Sequence, residues 1–98
     1  MSTPLQKSLT IQNKRGLHAR AAAKFVKCAE LYRADIIVTK DDNNVSGTSI
    51  MGLMMLAASK GTSIRVAVSG EQADEALNAL EALVGGKFGE DQDDTENV

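Results

Sequence analysis

The run Lys14-Arg15-Gly16-Leu17-His18-Ala19-Arg20 holds the only histidine of the chain, with an arginine two residues beyond it. Strand-like alternation at Leu9-Thr10-Ile11 precedes the run and helical periodicity from Ala21 to Leu31 follows it, so the imidazole falls at a helix start. First-turn N–H groups lack intrahelical acceptors, and the aligned peptide dipoles add partial positive charge, so that end stabilises an anion. Neutral imidazole is a nucleophile near physiological pH. If His18 attacked a phosphorus centre, the new oxygens would lie beside the N–H groups of Ala19 and Arg20. The Arg20 guanidinium could take two of them in its planar fork. Gly16 gives the approach loop dihedrals closed to other residues and is expected to keep the entrance open. These parts suit reversible capture of a phosphoryl group. The spacing by itself fits a surface or capping histidine equally well, so the rest of the chain must supply the context.

The elements that would position this run are legible from periodicity. Leu5 to Gln12 reads as a strand, with Leu9 and Ile11 alternating against Ser8, Thr10 and Gln12. His18 to Leu31 reads as a helix that buries Ala22, Phe25, Val26 and Ala29 and turns Lys24, Lys27 and Glu30 outward. Ala34 to Thr39 is a β-branched, buried strand, and the turn cluster at Asp41 to Asn44 returns the chain as a hairpin around Val45. Ile50 to Ala58 reads as a second helix, with Ser49 or Thr48 as N-cap and Lys60-Gly61 as its end. Ser63 to Ser69 alternates as a strand. Glu71 to Val84 is a helix with Ala73, Ala76, Leu77, Leu80, Leu83 and Val84 on one face, stopped by Gly85-Gly86. The order βαββαβα, with helices on one face of a mostly antiparallel sheet, predicts an α+β open-faced sandwich. Gly89 to Val98 is acidic and nearly free of apolar residues, so it is expected to be a disordered tail without a function.

Bulk properties remove several function classes. The length fits one domain with a single modest core. A net charge of −2 gives no general attraction to nucleic acid or to anionic membranes. The three aromatics, Phe25, Tyr32 and Phe88, are too few for a base-stacking platform. Cys28, the single cysteine, can form no internal disulfide and reads as a packed thiol. Neither the signal-peptide layout nor an apolar run of membrane length is visible, so a reduced, cytoplasmic setting is expected, without membrane insertion. No metal or cofactor is expected.

Ser49-Ile50-Met51-Gly52-Leu53-Met54-Met55-Leu56 is the second informative segment. Leu53, Leu56 and Ala57 suffice to bury one stripe of so short a helix. Ile50, Met51 and Met54 are then left on a neighbouring face, where flexible, polarizable methionine suits an adaptable docking surface. A wholly buried methionine stripe is the commoner arrangement, but this helix is too short to bury every apolar residue it carries.

Gly16-Leu17-His18-Ala19-Arg20 together with Ser49-Ile50-Met51-Gly52 resembles the HPr family, histidine phosphocarriers of the bacterial phosphoenolpyruvate-dependent phosphotransferase system. The similarity covers about residues 5 to 88 and includes the element order, making 1–88 a single HPr domain and 89–98 a tail. The resemblance implies that His18 is phosphorylated on Nδ1 by phospho-enzyme I and dephosphorylated by enzyme IIA proteins. It implies that Arg20 contacts the phosphoryl group, and that Ser49 is the regulatory serine that an HPr serine kinase/phosphorylase modifies in some bacteria. By the same resemblance, Ile50, Met51 and Met54 form the docking patch, with Ala19, Ala23 and Lys27 of the first helix beside it, on a protein acting as a monomer. The family's usual proline after the arginine is Ala21 here, which removes a rigid first turn but keeps the helix. Arg15, at a position usually small, polar or aliphatic, adds a cation to the phosphate loop beside Gly16. These features look more like proteobacterial HPr and the nitrogen-branch NPr proteins than like Gram-positive HPr. Other classes remain in view: mainly a regulatory interaction protein, of the nitrogen-related branch or switched by phosphorylation at Ser49, rather than a sugar-transport component, and a small hydrolase or phosphotransferase. The latter is disfavoured because there is no second histidine, P-loop or neighbouring base.

Overall fold

A computed structural model describes residues 4–90. Strands β1 (Leu5–Thr10), β2 (Asp35–Lys40), β3 (Asn43–Ser46) and β4 (Ser63–Ser69) form one antiparallel sheet in the order β1-β4-β2-β3. The helices are α1 (Ala19–Ala29), α2 (Ile50–Met55) and α3 (Ala73–Gly85), followed by a 3-10 turn over Lys87–Gly89. The expected βαββαβα order is present.

Alternation decides which face is covered. Leu9, Ile36, Val38, Ile64, Val66 and Val68 point to the helices and are buried, with Leu9 opposite Ile64, Ile36 opposite Val68 and Val38 opposite Val66. The α1 stripe Ala21, Ala22, Phe25, Val26 and Ala29 and the α3 stripe Ala76, Leu77, Leu80 and Val84 close the core over them. The opposite face carries Ser8, Thr10, Thr39, Ser63 and Arg65, together with Ile37, and among the described residues no helix covers it. Ala21 is wholly buried, so the residue that replaces the family's usual proline packs under α1.

Several boundaries depart from the sequence reading. Strand β1 ends at Thr10, although Ile11 continues the pairing by donating its N–H to the Thr62 carbonyl (2.8 Å). Helix α1 starts after His18 and stops at Ala29. Helix α2 stops at Met55 rather than running to Ala58. Leu56 and Ala57 close its end with bonds to the carbonyls of Leu53 and Met54, and Ala57 takes the left-handed conformation (φ 53°). That turn reverses the expected burial: Ala57 is exposed and Ala58 is buried instead. Helix α3 starts at Ala73 and reaches Gly85, but its glycines supply no left-handed cap. Lys87 and Phe88 take that conformation instead (φ 60° and 54°). Two residues of the expected tail are described: Gly89 ends the 3-10 turn after the buried Phe88, and Glu90 is placed against His18. The rest of the expected tail, 91–98, lies outside the described residues.

Candidate functional site

His18 is the N-cap residue of α1, with extended backbone (φ −82°, ψ −176°), and its carbonyl accepts the Ala22 N–H (2.8 Å). Its side chain does not cap the helix. The first-turn N–H groups of Ala19 and Arg20, which helix geometry leaves without intrahelical partners, are therefore not used by the imidazole. Helix α2 provides the contrast. Its N-cap Ser49 turns Oγ back to accept the Gly52 N–H at 2.9 Å, so that serine closes its own helix start.

The imidazole is directed instead toward the C-terminal turn. His18 Nε2 lies 2.6 Å from Glu90 Oε2, with the two side chains 19% and 9% exposed. A carboxylate can only accept, so Nε2 carries the hydrogen. In the neutral ring the lone pair then resides on Nδ1. The contact with Glu90 thus leaves Nδ1 as the ring nitrogen that carries no hydrogen.

The loop that delivers His18 is pinned to the segment between α2 and β4. Gly61 donates its N–H to the Ile11 carbonyl (2.8 Å), and Leu17 donates to the Ala58 carbonyl (2.9 Å). Gly16 has φ 67° and is buried, and a Cβ there would sit 2.5 Å from the Ala58 oxygen. Its role is close packing beneath the loop, not the open entrance that the sequence suggested. Asn13, wholly buried, donates from Nδ2 to the Gly16 carbonyl (2.8 Å) and to Glu90 Oε1 (2.9 Å).

Arg15 and Arg20 are both exposed, and neither forms a hydrogen bond or ion pair among the described residues, so both guanidiniums stand open to an incoming anion. Lys24 does not point to solvent as expected. It is half-buried and donates from Nζ to the Phe88 carbonyl (2.7 Å), tying α1 to the C-terminal turn. Sequence reasoning missed Asn13, Lys24 and Glu90. The signal available was Phe88, an apolar residue just ahead of the acidic tail that had to be buried somewhere.

Helices α1 and α2 pack against each other, and both carry exposed residues. Ala19 and Lys27 are exposed and Ala23 is half-buried, while Ile50, Met51, Met54 and Met55 are exposed, Met51 at 72% and Met55 at 77%. Leu53 and Leu56 alone anchor α2 in the core. Burial raises the Cys28 thiol above its ordinary range, as expected for a packed, unreactive cysteine. Among the described residues no group of His, Cys, Asp and Glu could hold a metal ion, and no helix is long and apolar enough to cross a membrane.

A family model described as the PTS HPr component phosphorylation site matches residues 5–85. The chain belongs to the HPr family. A Neisseria meningitidis protein named phosphocarrier protein HPr is 51% identical over 86 residues, spanning 88% of this chain and 97% of the relative. A Shewanella violacea relative named phosphocarrier protein NPr is 42% identical, covering 90% of this chain and 97% of its own. The crystal structure of HPr-C-His from Thermoanaerobacter tengcongensis superposes with a TM-score of 0.84 at 42% identity, over 88% of this chain and 97% of that one. The HPr fold, an open-faced α+β sandwich with three helices on one face of a four-stranded sheet, and the phosphocarrier role in the phosphotransferase system follow from this membership.

Proposed function

We propose that His18 is the residue that carries the phosphoryl group and that Nδ1 is the accepting atom. The observation that carries this reading is the 2.6 Å contact of Nε2 with Glu90, which leaves the Nδ1 lone pair at the helix start. The Nδ1–P bond forms as the bond from phosphorus to the donor's leaving atom breaks. The ring then bears positive charge with its hydrogen still on Nε2, and the Glu90 carboxylate offsets that charge. Negative charge on the equatorial oxygens is met by the first-turn N–H groups of Ala19 and Arg20 and by the Arg20 guanidinium, with Arg15 adding a second cation. Passing the group on reverses these steps.

The donor is enzyme I and the acceptors are enzyme IIA proteins, each meeting the patch of Ala19, Ala23, Lys27, Ile50, Met51 and Met54. The chain acts as a stoichiometric cytoplasmic carrier, not as a turnover enzyme. Incubation with labelled phosphoenolpyruvate and enzyme I should place label on the protein, and His18→Ala should remove it. Undiminished labelling of that variant would falsify the assignment.

Ser49 supports a second, compatible reading as a regulatory switch. Its Oγ sits at a helix N-terminus, which favours a phosphate electrostatically, yet it borders the exposed Ile50, Met51 and Met54. Phosphate there would put charge into an apolar docking surface and weaken partner binding without unfolding α2. An HPr serine kinase with ATP should phosphorylate Ser49 alone; a phosphate mapped elsewhere, or none, removes this reading.

A further inference from the structure

The carboxylate of Glu90 does not reach His18 unaided. Three successive residues, Lys87, Phe88 and Gly89, take positive φ (60°, 54° and 72°), two of them without the freedom of glycine. Such backbone persists where surrounding contacts over-determine it. The contacts here are burial of the Phe88 ring and the bond from Lys24 Nζ to the Phe88 carbonyl. Together they bring Glu90 beneath the loop that carries His18.

Beneath that loop waits a side chain with no other evident task. Asn13 is wholly buried, and its Nδ2 spends one hydrogen on the Gly16 carbonyl and the other on Glu90 Oε1. Its Oδ1 is buried and has no partner among the described residues. Turning the amide round would satisfy nothing, because Oδ1 would then face the Gly16 carbonyl and the Glu90 carboxylate, both acceptors. An orphaned buried acceptor is destabilising, and a small apolar residue would avoid it. The side chain is therefore oriented by what its Nδ2 holds.

The geometry points to Asn13 as a positioning residue that acts on His18 through Glu90. The amide fixes one carboxylate oxygen so that the other meets Nε2, and this holds the ring in the tautomer with a free Nδ1 lone pair. Asn13 touches neither the imidazole nor the reacting phosphorus; its effect is exerted wholly through the carboxylate. The same Nδ2 clasps the Gly16 carbonyl, so the carboxylate and the phosphate loop are set against each other by one side chain. This inference rests on the phosphocarrier reading of His18 but is tested without phosphorylation.

Because His18 is the only histidine, its ring nitrogens give a single set of signals in long-range 1H–15N spectra of the full chain. The neutral ring of the unaltered protein should be dominated by the Nε2–H tautomer. A hydrogen bond to a charged group is strong enough that Asn13→Ala should lower the ratio of Nε2–H to Nδ1–H about tenfold. Glu90→Ala should lower it to the same extent, and the double variant no further, since both act through one contact. Asn13→Ser, an atom shorter toward Glu90, serves if the alanine variant folds poorly. An unmoved ratio in the Asn13 variants overturns the proposal. So does an Asn13 effect that persists undiminished in the Glu90→Ala background, since packing alone would then explain it. Label on His18 with an unmoved ratio defeats this inference only, whereas the expected ratios without label on His18 defeat the carrier reading only.

Discussion

Histidine at a helix start is common and usually inert; what distinguishes His18 is the direction in which its ring is held. An imidazole turned back onto its own helix would occupy the N–H groups an anion needs. Here the ring is turned to Glu90 and leaves those groups uncapped by its side chain. Gly16 is the residue on which this arrangement is most sensitive to a single methyl group. Its positive φ and the 2.5 Å approach to the Ala58 oxygen act together, because the clash is with backbone that cannot rotate away. Gly16→Ala should cost at least about 2 kcal/mol in urea unfolding. It should also slow labelling of His18 by displacing the loop. A variant with unchanged stability would show that the loop yields, and that the glycine is dispensable.

Two short elements divide the work that one long helix could not do. Helix α1 supplies the helix start that carries His18 and much of the core, while α2 buries only Leu53 and Leu56 and leaves its remaining apolar side chains outside. Early termination of α2 makes this possible: the reversal at Ala57 releases the chain to form the loop that pins Ile11 and Leu17. Met51, at 72% exposed, is held by little in the fold. Met51→Lys should therefore change stability by no more than about 0.5 kcal/mol. Binding to enzyme I, measured by calorimetry, should nevertheless weaken severalfold, because a solvated cation is placed in an apolar contact. Equal affinity for both proteins would remove Met51 from the docking surface.

The whole molecule couples its C-terminal turn to its functional loop through the core. Phe88 is as deeply buried as Ile64 of the sheet, and the turn around it leads into Glu90. Phe88→Ala should cost about 3–5 kcal/mol through the cavity it leaves. It should also loosen Glu90, so its His18 tautomer ratio should move toward that of Glu90→Ala even at temperatures where the protein stays folded. Loss of stability with an unmoved ratio would mean that Glu90 is placed independently of the ring. By contrast, the Lys7–Glu81 bridge between β1 and α3 joins two side chains nearly half exposed, and it contributes little.

Periodicity was sufficient for the element order and the buried stripes of α1 and α3, because burial on one face imposes a period that local sequence must obey. That β4 pairs with both β1 and β2 came only from the tertiary structure. The run around His18 and the segment from Ser49 to Met54 were legible for a related reason: a helix start and a short apolar helix are local objects. Glu90 and Asn13 were not legible. They are 77 residues apart in sequence, and neither carries a local pattern that announces the other. Their meeting depends on three left-handed residues after α3 and on a buried aromatic, which only the packed core can impose. Sequence alone therefore determined that the single histidine stands at a helix start, followed two residues later by an arginine. Tertiary structure decided which of its two nitrogens is engaged, because that depends on a carboxylate brought from the far end of the chain.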